Sequence, residues 1–352
     1  MRMRVVLLLL LVVCVAGLAA KPASSNQQKF SPPYRTFRFT YSFTIQNIPH
    51  GAKLVRVWVP VAHSDTHQTV RLVHVEAPVR TRITREPEFG NHILYAEIHN
   101  PKHSSADFLL QYEVTRREYR VGDYAQLEAK DIKPGVLPVS MTRYVEPNRL
   151  IPTSGKIQEL AERVTGSQVG TVAKAKAAYD YLFTTMRYDK SGTGWGRGDA
   201  VWACDSKHGN CTDFHSLFIA LMRSDDIPSR FDIGFPLPDK ASKGDIPGYH
   251  CWAEFFARNI GWVPVDISEA WLEKQKVDYF FGSIDANRVQ FSTGRDITLS
   301  PKQNGPPVNY FVYPYVEIDG KAYELINKHF SFADITSDPD AAIFQPAPLP
   351  AM

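Results

Sequence analysis

The chain has 352 residues, with 40 lysines and arginines against 37 acidic residues and a net charge of +3. No basic run or patterned charge block accompanies this balance, so the electrostatic footprint of a nucleic-acid or membrane-surface binder is absent. The length allows two domains with substantial cores.

At the N-terminus Arg2 and Arg4 precede an apolar run from Val5 to Val15 and a small-residue stretch from Ala16 to Ala20. This is the layout of a cleavable secretory signal peptide over 1–20, and it predicts a periplasmic or secreted protein. The run is shorter than the ~20 residues of a bilayer-spanning helix, so no stable membrane insertion is expected. Cys14 follows Val13 rather than a small residue, which does not fit a lipidation site. Cleavage leaves Cys204, Cys211 and Cys251, an odd number that cannot all pair within one chain. In an oxidising compartment a leftover thiol points to a reactive cysteine.

A polar, proline-containing linker (21–35) leads into a region, 36–150, of short segments with period-two alternation. Thr36–Phe43, Leu54–Val59, Val70–Val75, His92–Ile98 and Phe108–Val114 read as strands of an antiparallel β-sandwich. Its histidines, at 50, 63, 67, 74, 92, 99 and 103, lack metal-ligand spacing, so a structural or substrate-orienting role is expected.

The texture becomes helical in 151–335. Ile157, Leu160, Ala161 and Val164 precede a stop at Gly166, and Thr171–Met186 carries a core stripe through Val172, Ala175, Tyr179 and Leu182. Asp189–Gly198 holds four glycines but lacks the Lys-Ser/Thr ending and the preceding strand of a phosphate-binding loop, and it reads as a flexible loop near an active site.

The next helix is predicted to begin at Cys211. Asn210 is a favoured N-cap, Asp213 can reach back in a capping box, and apolar residues at 214, 217, 218, 221 and 222 share one face. A thiol in the first turn sits at the positive end of the helix dipole, beside backbone N–H groups that favour thiolate and can stabilise an oxyanion. Taken alone, the segment fits a buried inert cysteine equally well. Downstream, Tyr249–Phe256 and Gly261–Asp266 read as a hairpin. With Ala257, Arg258 and Asn259 as its loop, His250 faces Asp266, close enough for the carboxylate to hold the imidazole. A slip of one residue would break that pairing.

Gly209-Asn210-Cys211-Thr212-Asp213-Phe214 with Ile227-Pro228-Ser229-Arg230, then His250-Cys251-Trp252-Ala253-Glu254 and Gly261-Trp262-Val263-Pro264-Val265-Asp266, resemble the three motifs of the transglutaminase-like superfamily, in order. The resemblance spans roughly Ile157 to Asp266. It implies an α+β fold with a papain-like core of helices packed on an antiparallel sheet, the triad Cys211, His250 and Asp266, and thioester chemistry on amide bonds. It makes the protein a cysteine peptidase, amidase or protein-glutamine acyltransferase acting on a peptide or protein. No cofactor or metal is implied, and the run of calcium-binding acidic residues found in animal members is missing.

Several residues compete for attention. Trp195 and Trp202 are both candidates for assisting the oxyanion. His215, one turn beyond Cys211, is a rival base but is expected to serve packing or substrate contact. Trp252 and Trp262 either shield the triad or pack the core. Cys204 and Cys251 form one of three conceivable disulfides. A zinc site from Cys204, Cys211, His215 and His250 or Cys251 matches no familiar ligand spacing. Arg295 and Asp296 carry only a structural expectation, segments up to the Asp319-Gly320 turn are expected to finish the catalytic sheet, and 336–352 forms a tail. The rival reading from another class is a non-catalytic periplasmic scaffold that retains the fold.

Overall fold

The computed structural model describes residues 33–131 and 138–335. The expected signal peptide, Cys14, most of the linker and the C-terminal tail lie outside the described residues. The N-terminal strands are β1 (Tyr34–Ile45), β2 (Leu54–Val61), β3 (Gln68–Glu76), β4 (Thr81–Arg85), β5 (His92–His99) and β6 (Ala106–Arg117). Their alternation has the expected cause. In β1 Phe37, Phe39, Tyr41, Phe43 and Ile45 are buried, as are Phe108, Leu110, Tyr112 and Val114 of β6, and polar residues between them face outward. The strand at Thr81–Arg85 was not anticipated.

Next come β7 (Tyr119–Arg120), α1 (Tyr124–Lys130), α2 (Lys156–Thr165) and α3 (Thr171–Thr185), the last two where the periodicity places them. They lead to β8 (Arg187–Tyr188), α4 (Ala200–Ser206), β9 (His208–Gly209), α5 (Cys211–Ser224) and β10 (Ser229–Pro236). The chain continues through β11 (Lys243–Asp245), β12 (His250–Ala257), β13 (Gly261–Val265), α6 (Ile267–Leu272), β14 (Ser283–Ile284) and β15 (Arg288–Thr293). It closes with β16 (Tyr315–Ile318), β17 (Lys321–Tyr323) and β18 (Ile326–Asp334).

Three larger sheets result, ordered β11-β18-β1-β6-β3, β17-β16-β2-β5-β4 and β13-β12-β10-β15. This is an α+β architecture: an N-terminal β-rich region followed by a mixed core of helices on an antiparallel sheet. Of the segments expected to finish the catalytic sheet, Phe291–Thr293 does so as part of β15 beside β10, and the later ones do not. β16 pairs with β2, and β18 runs the length of β1 from Phe37↔Asp334 to Ile45↔Ile326, so the C-terminal strands complete the two N-terminal sheets. Edge strands there would otherwise expose unpaired backbone groups.

The regions share one hydrophobic core, where two separate cores were expected. Phe39 of β1 lies 5.2 Å from Phe235 of β10 and 5.5 Å from Phe291 of β15, ring to ring. At its centre, every residue of α5 from Cys211 to Arg223 is buried. Phe214, Leu217, Phe218 and Leu221 each contribute ~1.5–3 kcal/mol by burial. Two buried polar side chains of this helix are bonded: Ser216 accepts from Arg295 at 2.5 Å, and Arg223 donates to the carbonyl oxygens of Ser229 and Glu146. The anticipated single apolar face is therefore a helix enclosed on all sides. Among the described residues no helix is long and apolar enough to cross a membrane.

Candidate active site

Cys211 occupies the first turn of α5, where the capping box forms as the sequence predicts. The Asn210 side chain accepts the Thr212 N–H at 2.9 Å, and the Asp213 carboxylate accepts the Asn210 N–H at 3.0 Å. Asp213 also accepts the N–H groups of Gly196 at 2.7 Å and Gly198 at 3.0 Å. The end of the glycine-rich loop is thus pinned to the helix start. Its glycines are required by geometry: Gly198 has a φ of +62°, and a Cβ there would stand 2.5 Å from Ser216 Oγ and 2.7 Å from the Arg295 guanidinium.

His250 opens β12 and Asp266 follows β13 as the N-cap of α6. The hairpin register differs from expectation. Ala257 pairs with Gly261 and Ala253 with Val265, so the loop is Arg258–Ile260 and the pairing is displaced by two residues. Because side chains alternate with a period of two, that displacement leaves His250 and Asp266 on the same face, as diagonal neighbours. His250 Nε2 meets Asp266 Oδ2 at 2.7 Å. The carboxylate is positioned further by the Glu269 N–H at 3.1 Å and Ser268 Oγ at 3.2 Å, both to Oδ1.

The three side chains are almost sealed from solvent: Cys211 is 2%, His250 6% and Asp266 0% exposed. Burial opposes each charge and is outweighed by the others. Against burial, the neighbouring Cys251 thiol and His250 imidazole hold the Cys211 thiol well below its usual range. Against burial, Asp266 and Cys211 hold the His250 imidazole well above its own. Asp266 stays far below the carboxylate range, because His250 and Arg288 overcome its desolvation. Both shifts run in the direction of a thiolate and an imidazolium.

With this geometry in place, comparison with known proteins is informative. Residues 158–267 match the family model of the transglutaminase-like superfamily. That segment is similar to a transglutaminase-like core. The chain is 28% identical over 348 residues to an uncharacterised protein of Haemophilus influenzae, covering 88% of this chain and 94% of the other. Its fold is similar to that of a proposed cysteine protease from Cytophaga hutchinsonii, with a TM-score of 0.61, 17% identity, and coverage of 89% of this chain and 95% of that one.

The site contains residues that motif reading missed. Arg288, buried on β15, donates to Asp266 Oδ2 at 2.8 Å. Nothing local marks it, since an arginine at a strand start reads as exposed until the partner strands are known. Tyr249 donates to or accepts from Thr212 Oγ1 at 2.8 Å and accepts from Asn210 at 3.1 Å, while Tyr310 donates to the Gly196 carbonyl at 3.1 Å. Together these tyrosines fasten β12 and the loop around the helix start. Glu269 Oε2 lies 3.9 Å from His250 Nε2 and is pushed upward by burial.

His215 is fully buried, accepts the Ile267 N–H at 3.1 Å and is pushed by burial down to about 4, so it is a neutral packing residue. Trp252 packs under the Arg288 guanidinium, 5.1 Å from the ring centroid, and Trp262 packs edge-on against Phe256. Trp202 stands edge-on to His208. Arg295 bonds Ser216, the Gly198 carbonyl and Asn309, a structural clamp. Cys204 and Cys251 are both free thiols, which corrects the conceivable disulfide between them. Among the described residues the group able to hold a metal is His250, Asp266 and Glu269, with donor atoms within 4.8 Å of one another, and it contains no cysteine of the zinc set weighed above. Arg288 already occupies Asp266 there, and its positive charge opposes a cation.

Proposed function

We propose that this protein is an exported cysteine enzyme that cleaves or transfers amide acyl groups through a thioester on Cys211. The observation that carries the reading is the buried His250–Asp266 pair, Nε2 to Oδ2 at 2.7 Å, together with a buried Cys211 thiol at the start of α5. The N-terminal arginines, apolar run and small-residue stretch support export to the periplasm or beyond.

In this reading the Cys211 thiolate attacks the carbonyl carbon of a peptide or glutamine side-chain amide. The tetrahedral oxyanion is stabilised by backbone N–H groups at the helix start. With Nε2 taken by Asp266, Nδ1 of His250 gives its proton to the leaving amine as the C–N bond breaks. Water or a second amine, deprotonated by the same nitrogen, then attacks the thioester and releases Cys211. Asp266 keeps the ring oriented and stabilises its charge throughout.

The near-complete burial of Cys211 and His250 favours one rival, a non-catalytic scaffold retaining the fold. The two separate in the rate of iodoacetamide labelling of Cys211 against pH on the mature protein, located by peptide mapping. The enzyme requires a labelling pKa well below the ~8.5 of a free thiol, lost in His250→Ala. An inert Cys211, or one that titrates normally, would favour the scaffold. A screen of peptide and glutamine amides with and without a labelled amine then separates hydrolysis from transfer.

A further inference from the structure

Cys251 follows His250 directly, and because strand side chains alternate, it projects to the opposite face of β12, onto α5. There its sulfur lies 3.9 Å from Thr212 Oγ1 and 3.7 Å from His215 Nδ1, against the turn of α5 that opens with Cys211. Both thiols are buried and unpaired, whereas Cys204 sits on α4. The cysteine at 251 neither attacks the substrate nor transfers a proton in the proposed acyl transfer.

We propose that Cys251 is a resolving thiol, which captures an oxidised Cys211 as a reversible Cys211–Cys251 disulfide and so protects the nucleophile from irreversible oxidation. The inference rests on the reading of Cys211 as a thiolate nucleophile. Burial, and then the Cys211 charge, hold Cys251 well above its usual range, so it waits as a protonated thiol beside a thiolate.

The chemistry balances with a hydroperoxide as oxidant. The Cys211 thiolate attacks the peroxide oxygen, the O–O bond breaks, the sulfur loses two electrons to it, and a sulfenic acid forms. The Cys251 sulfur then attacks the Cys211 sulfur, the S–S bond forms as the S–O bond breaks, and the Cys251 proton leaves with the hydroxide as water. An S–S bond is about 2.05 Å long and joins Cβ atoms ~3.5–4.5 Å apart, a span suited to a thiol that already packs on the residues one and four positions beyond Cys211. An external dithiol reverses the step by exchange.

The test treats the purified mature protein with hydrogen peroxide, blocks remaining thiols under denaturing conditions and maps peptides without reduction. The expected product is a cross-linked pair containing Cys211 and Cys251, lacking two hydrogens. Dithiothreitol should restore iodoacetamide labelling of Cys211 in the wild type. In Cys251→Ala and Cys251→Ser, the recovered labelling should fall at least roughly fivefold as Cys211 advances to the sulfinic acid. A wild-type protein that yields sulfinic Cys211 without the cross-link, or pairs Cys211 with Cys204, overturns the proposal, even if neither variant folds. The cross-link is read by mass alone, so its absence is distinguishable from a failure to find any amide substrate. A reduced Cys211 with an ordinary thiol pKa would instead overturn the nucleophile reading beneath it.

Discussion

Arg288 and His250 meet on one oxygen: the guanidinium donates to Asp266 Oδ2 at 2.8 Å and the imidazole reaches the same atom at 2.7 Å. In the proposed mechanism thiolate, imidazolium, carboxylate and guanidinium form a chain of alternating charge in a buried site. Each ion offsets the desolvation of its neighbour.

Arg288→Gln breaks that chain at its outer end. Leaving Asp266 buried without its cation should destabilise the protein by about 3–5 kcal/mol in urea denaturation. In the folded fraction the labelling midpoint of Cys211 should rise by roughly a unit, because a less anionic Asp266 supports His250 less. An unchanged midpoint would assign Arg288 to packing alone.

The depressed Asp266 carboxyl has a definite acid signature. Its folded pKa lies below the unfolded value of about 3.9, so its contribution is complete above that pH and is lost as pH falls through the folded value. His250 has the opposite sign: its raised folded pKa contributes fully below about 6.5 and is lost as pH rises through the folded value. Between pH 5 and 3 the urea midpoint of the wild type should therefore fall more steeply than that of Asp266→Asn. Parallel slopes would mean that Asp266 is not the titrating group.

Two buried histidines flank the thiol, and only one should govern it. His215, held down to about 4 by burial, is neutral at pH 7, so His215→Gln should leave the Cys211 labelling midpoint within about half a unit. His250→Gln should move it to near ~8.5, the value of an unassisted thiol. Reversed results would make His215 the base.

Asp213 ties three backbone N–H groups together, those of Asn210, Gly196 and Gly198. Asp213→Ala leaves buried donors unpaired at the very turn that carries Cys211. A loss of about 3 kcal/mol is expected, with faster hydrogen exchange at Gly196 and Gly198. Exchange unchanged at those two glycines would contradict the pinning of the loop.

What could be read from the chain alone was local or periodic. The start of α5 at Cys211 depends on Asn210 and Asp213, three residues apart, and the strands and helices before it depend on spacings of two and 3.6. The hairpin carried His250 and Asp266 to one face even though its loop was misplaced, because a displacement of two residues preserves the side of the sheet. Tertiary structure decided everything that joins distant segments. It placed Arg288 against Asp266 from two strands beyond β12, returned β16 and β18 to the N-terminal sheets, and turned Cys251 onto the helix that carries Cys211. Alternation says that neighbouring side chains face opposite ways, but not which surface each will meet, since that depends on the order in which strands pair and on the core they bury together.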